Sequence, residues 1–179
     1  FTSSVTLRKA ANNTLQCPGY RTVYSQGLSG NINGIKSENP PAPTASQTGI
    51  SVSPLAWYDL RVLVPGQSRD PGTTTGRAGN VGTQTAGVAF NIIIDAVDDY
   101  WNLVDTGTPV NLDILNADDP YATDGEGLYQ ITTGSVVVTG VKLRKNTDAT
   151  GTRIKVSTST KDDTSTAIPM KYNDAVKLL

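Results

Sequence analysis

GVAFNIIIDAVDDYWN, residues 87–102, alternates along its length: Val88, Phe90, Ile92, Ile94 and Ala96 fall in one register, and Ala89, Asn91, Ile93 and Asp95 in the other. A repeat of two belongs to an extended strand, whose successive side chains leave opposite faces; a helix would scatter the same residues around its axis. The stretch therefore predicts a strand with one buried face that runs straight into an acidic, aromatic turn, DDYWN.

Outward from this strand the chain keeps the same grammar. Residues 1–9, 21–25, 50–53, 58–64, 110–115, 129–132, 135–143 and 153–159 read as further strands. Val110, Leu112 and Ile114 share one face of theirs, and Gly140 interrupts residues 135–143. Gly30, Gly34, Pro40, Pro41 and Pro43 punctuate residues 27–49, which read as a loop or linker because glycine and proline there oppose regular pairing. Residues 65–87 form a second long insertion, rich in Gly and Thr, of a length that either packs across the domain or serves a contact. Short strands without sustained helical periodicity predict an all-β, antiparallel sandwich. The expected core is Leu60, Val62, Phe90, Ile92, Ile94, Trp101, Val110, Leu112, Ile114, Val136, Val138, Leu143, Ile154 and Val156.

Composition narrows the function classes. The 179 residues carry a formal net charge of −1, with dispersed basic residues, so nucleic acid is not an expected partner. No apolar run is long enough for a membrane span. Histidine is absent and cysteine occurs once, as Cys17. Ser-His and Cys-His nucleophile pairs and the usual zinc ligand sets cannot be built from such a chain, and an internal disulfide is excluded. The expectation is a protein that is not an enzyme. Abundant Thr, Ser, Gly, Asn and Asp, with few Lys and Glu, suit an extracellular β-protein. Asn12-Asn13-Thr14 fits the short glycosylation acceptor pattern.

Ala96-Val97-Asp98, followed by Trp101-Asn102-Leu103-Val104, resembles the signature strand of bacterial immunoglobulin-like tandem repeats found in long secreted or cell-surface proteins. LRVLVPGQ at 60–67, PGTTTGRAG at 71–79 and the Asp119-Pro120 step extend the likeness over about residues 50–179. The resemblance implies an immunoglobulin-like β-sandwich, an extracellular or cell-surface location, and a framework role for Asp98, Trp101 and Asn102.

Val5-Thr-Leu-Arg-Lys9 is similar to Val141-Lys-Leu-Arg-Lys145, and Trp57-Tyr-Asp-Leu-Arg-Val-Leu63 to the segment Tyr172–Leu179, in the same order. These matches, and a chain that begins at Phe1, are read as a repeat cut out of register. Residues 1–49 would then hold the last strands of a preceding repeat plus a linker, 50–172 a sandwich, and 173–179 the first strand of the next repeat or a donor strand. An unfinished sandwich exposes strand edges, so Phe1, Val5, Leu7, Val176, Leu178 and Leu179 are the expected assembly residues, joining copies or neighbouring repeats head to tail.

Asp118, Asp119, Asp124 and Glu126, in DDPYATDGE, are the candidate ligands for calcium, the one cofactor considered, because that ion takes six to eight oxygens. Their spacing is not that of a DxDxDG loop, and aspartate is also an ordinary turn residue. PGTTTGRAG lacks the GxxxxGK[ST] pattern of a phosphate loop. The expected function is a structural subunit of an extracellular filament, stalk or surface layer. The alternative is an adhesin or carbohydrate-binding module, with a glycan as partner and Trp57, Tyr58, Tyr100 or Trp101 as stacking rings.

Overall fold

A computed structural model describes residues 8–10, 12–17, 20–26, 31–37, 45–115, 119–122, 124–145 and 151–173. The chain divides into two compact units, Phe1–Pro54 and Leu55–Leu179. Among the described residues there is no helix, and the strands form several antiparallel sheets with one short parallel pair.

In the first unit β1 (Asn12–Cys17) pairs antiparallel with β4 (Ala45–Ser51), and β2 (Tyr20–Gln26) with β3 (Asn31–Ser37). Both β3 and most of β4 lie in the stretch whose glycines and prolines predict a loop. The register explains β3: Val23 faces Ile35 and Ser25 faces Ile32, so Asn33 and Gly34 together oppose Tyr24. Gly34 is absorbed as a bulge, one of the places where a strand admits glycine. Residues 8–10 are not strand, and Phe1, Val5 and Leu7 lie outside the described residues.

The second unit is built from two larger sheets. β5 (Asp59–Leu63), β9 (Phe90–Val97) and β12 (Ser135–Val141) form one, in the order β12-β9-β5; β10 (Val110–Leu115), β11 (Gly127–Ile131), β13 (Lys155–Ser157) and β14 (Asp162–Thr164) form the other, in the order β11-β10-β13-β14. Their apolar faces meet in one core. Leu60, Val62, Phe90, Ile92, Ile94, Ala96, Val138 and Val141 enter it from the first sheet, and Leu112, Ile114, Ile131 and Val156 from the second; Leu143, Ile154, Ile168 and Met170 fill in from outside these two sheets. This is a β-sandwich-like architecture, and the strand of residues 87–102 is its central member. Of the expected core, Val110 and Val136 are partly buried against it. Trp101 is a correction: it is half-buried and lies outside this core, for a reason given below.

The outer face of the three-stranded sheet is covered in part, Asn91 and Val137 on it remaining exposed. Arg61 pairs across to Asp95 and Asp95 to Ser135; in the next row Leu63 pairs to Ile93 and Ile93 to Val137. Residues 65–87 cross over the β5 side of this face as a strap. It carries the two-residue pair β6 (Ser68–Arg69) and β7 (Arg77–Ala78), then β8 (Gln84–Thr85), which lies parallel to β15 (Met170–Lys171). The insertion therefore packs across the sandwich, and Leu63 beneath it is buried.

Candidate functional site

Alternation sends Asp95 and Arg61 away from the sandwich core, yet both side chains are 0% exposed. They meet under the strap. Arg61 donates to Asp95 Oδ2 from Nη2 at 2.7 Å and from Nε at 3.3 Å. Its Nη1 donates to the carbonyls of Gly76 and Trp101, each at 2.9 Å. From β6, Arg69 reaches both oxygens of the same carboxylate, Nε to Oδ2 at 2.9 Å and Nη2 to Oδ1 at 2.7 Å. The Ser135 hydroxyl donates to Oδ1 at 2.7 Å. Burial pushes the Asp95 carboxyl up, but hydrogen bonds from Arg69, Arg61 and Ser135 outweigh it and hold it below the ordinary carboxylate value. The bond to Asp95 correspondingly raises the Arg69 guanidinium, against its own desolvation.

Beside this cluster is the DDYWN turn. Asp98 Oδ1 accepts from the amides of Tyr100 and Asn102, each at 2.9 Å, and Oδ2 accepts from the Leu55 amide at 2.9 Å. The Asn102 side-chain amide donates to both oxygens, at 3.1 and 2.9 Å. Burial pushes this carboxyl up too, and Asn102, Leu55 and Tyr100 bring it below its ordinary value. The turn holds Trp101 at φ 64°, a left-handed conformation costly for an L side chain. That conformation lays the indole on Gly76 of the strap, where an added Cβ would come within 2.3 Å of the ring. Its Nε1 donates to the Thr74 carbonyl at 3.2 Å, and the Arg77 guanidinium sits 5.7 Å from its centroid. Trp101 is thus a clamp on the strap, which accounts for its absence from the sandwich core.

The free edge of β5 is closed by side chains. The Val62 amide donates to Asp163 Oδ2 of β14 at 2.7 Å, and the Val62 carbonyl accepts from Arg77 Nε at 3.1 Å. Arg77 also pairs with Asp163, and the Val64 amide donates to Gln67 Oε1 at 3.2 Å. Burial raises the Asp163 carboxyl; the Arg77 charge and the amides of Val62 and Thr164 offset this only in part.

The four candidate calcium ligands are placed unevenly. Asp118 lies outside the described residues. Asp119 is fully buried and accepts from the backbone amides of Tyr121, Arg144 and Lys145. Asp124 pairs with the side chains of Arg144 and Lys142, and Glu126 is half-buried. Asp119 and Asp124 are brought together on Arg144. Among the described residues no group of three or more acidic, cysteine or histidine side chains is arranged to hold a metal. Of the candidate stacking rings, Tyr58 is 58% exposed and Trp57 half-buried, with the Lys161 ammonium 5.5 and 5.3 Å from their centroids. Val176, Leu178 and Leu179 lie outside the described residues.

Asp98, Trp101 and Asn102, which the resemblance singles out, meet in this turn; Arg61, Arg69, Arg77 and Asp163 are not singled out by the sequence. The available signal was charge in the outward register of two otherwise apolar strands, LRVL and IIID. Every buried carboxylate among the described residues (Asp95, Asp98, Asp119) ties segments distant in sequence by donors that take up both of its oxygens. Fold and site together define an all-β, sandwich-like domain with a strapped outer face. No family model matches the chain, and no curated protein matches it.

Proposed function

We propose that the chain is a non-enzymatic structural module of an extracellular filament, stalk or surface layer, joined head to tail to copies of itself or to neighbouring immunoglobulin-like repeats by strand complementation. The head-to-tail part of this reading rests on the similar segments at 5–9 and 141–145 and at 57–63 and 172–179; the observation that supports its non-enzymatic part is the use made of the buried carboxylates. Asp95, Asp98 and Asp119 are each saturated by guanidinium, amide or hydroxyl donors, so they serve as cross-links within the fold. Groups recruited for acid–base chemistry are instead kept within reach of a reactant.

Electron microscopy of the purified chain tests the proposal, with filaments as the expected result. Removing residues 174–179, beyond β15, abolishes them while the melting of the second unit is retained. Single particles only, or filaments indifferent to that deletion, overturn it. The glycan-binding alternative is favoured by the exposed Tyr58 ring beside Trp57. It requires selective retention on a glycan array, lost in Tyr58→Ala.

A further inference from the structure

The two flanks of the sandwich are guarded very differently. On one, β5 meets β14, and Asp163, Arg77 and Gln67 occupy the backbone groups of Val62 and Val64 that another strand would need. On the other, β11 and β12 are the terminal strands of their sheets, joined directly by residues 132–134, and among the described residues no strand pairs with their outer edges. This flank reads GLYQITTGSVVVTGV, residues 127–141, fifteen residues with no charge and no proline in a chain that is 17% charged. Leu128 is 83% and Val137 55% exposed there. A lysine, a proline or an inward charge is the usual protection of a strand edge. The devices present among the described residues are the irregularity between Val138 and Val141 in β12, where Gly140 has φ 78°, and, at the end of that strand, the chain at Asp124–Gly125, which lies against Val141 and accepts from the Lys142 amide.

We infer that the β11/β12 flank is a lateral contact between two copies of this chain, antiparallel edge to edge. The inference rests on the proposed filament reading, to which it adds a side-to-side surface distinct from the head-to-tail junction. Charge selects the occupant. The paired lengths of these strands carry no charge to recognise an acidic or basic partner, and the ions at their ends are already matched, Arg69 to Asp95 and Lys142 and Arg144 to Asp124, so two copies meet without unmatched like charges. Size sets the strength. Five to seven residues at about 3.3 Å each give an edge about 17–23 Å long, and two layers, each about 10 Å thick, make a strip about 20 Å wide and roughly 400 Å² per copy. That is about half the area of a standard stable interface, so the contact is weak alone, with Kd of about 10 µM to 1 mM, and gains strength where many copies are already aligned.

Sedimentation velocity of the full chain from about 5 to 500 µM tests it. Expected is an average mass that rises with concentration, and an association at least tenfold weaker in Val137→Lys and Leu128→Lys. Asn91→Lys, on an exposed position of the central strand, is the control and associates like the parent. Thermal melting establishes that each variant is folded. A parent monomeric throughout, or lysine variants that associate as it does, overturns the inference. Association abolished by Val137→Lys without any filaments supports this contact and refutes the filament reading. Filaments of unchanged width in Val137→Lys refute the contact alone.

Discussion

Replacing Asp95 by Ala removes the acceptor of five donor contacts, from Arg61 Nε and Nη2, Arg69 Nε and Nη2, and Ser135 Oγ. The consequences for the two arginines differ. The Arg69 side chain is 42% exposed and can hydrate, so its share, discounted for solvent screening, is at most about 1 kcal/mol. Arg61 is wholly buried and keeps only the Gly76 and Trp101 carbonyls. Stranding such a charge costs about 3–5 kcal/mol. Against a typical domain stability of about 5–15 kcal/mol the variant stays measurable. Urea unfolding at pH 7, followed by Trp fluorescence and extrapolated linearly, reads the difference. Arg69→Ala should lose about 1 kcal/mol in the same assay. Arg61→Met combined with Asp95→Leu should recover most of the loss, because an apolar pair of similar volume needs no ion compensation. If Asp95→Ala falls within about 1 kcal/mol of the parent at unchanged m-value, or costs no more than Arg69→Ala, the stranded-charge reasoning is wrong.

Acid should release the same cluster. A carboxyl held below its unfolded value of about 3.9 contributes stability fully present above that value and lost as pH falls through the lower folded value. Stability of the parent therefore drops below about pH 4, and this component is absent from Asp95→Asn. Asp163, raised by burial, has the opposite sign: its contribution is present below the unfolded value and fades as pH rises through the folded one. Asp163→Asn should flatten that opposing slope in urea titrations between about pH 3 and 6. Asp163→Ala leaves the Val62 amide without its acceptor and should cost about 1–3 kcal/mol in urea unfolding, with more light scattering as the β5 edge opens; no change in either refutes the edge seal. Gly76→Ala puts a Cβ within 2.3 Å of Trp101 at a φ of 67°. It should shift Trp emission and speed proteolysis in the strap, and an unaltered spectrum counts against the clamp. Because Asp119 binds backbone amides and Asp124 pairs with Arg144, calorimetry should find the same Tm in about 1 mM calcium and in chelator. A calcium-dependent rise supports the ligand assignment instead.

The sandwich was legible where a strand stands between a core and an open face. Val110–Leu115 lies where its alternation put it, because alternate burial leaves a repeat of two in the sequence itself; Phe90–Val97 lies within its predicted stretch but alternates in burial only as far as Ile93, beyond which both of its faces are buried. Legibility fails where that condition lapses. β3 breaks its period at a bulge, and β14 is an acidic edge with one half-buried residue between two exposed ones. β15, two residues long, follows a proline. No local pattern announces such elements.

The outer-face cluster shows a different limit. Asp95 looked like the last polar residue of an outward register, the ordinary solvent side of a strand. Its meaning depends on Arg61, 34 residues away, and Arg69, 26 away, and on a strap whose Gly and Thr content reads as loop. Burying an aspartate on that face is tolerable only if its donors are buried with it. Arg61 must therefore point outward from its own strand, opposite Asp95, and the strap must supply the carbonyl of Gly76 to the remaining guanidinium nitrogen. A glycine is required at that position because the Trp101 ring occupies the space of a side chain. The left-handed Trp101 is in turn placed by the amides gathered on Asp98. The signature turn and the central strand thus hold one strap from two sides, which is why DAVDDYWN combines acids, an aromatic and an amide immediately after an apolar run.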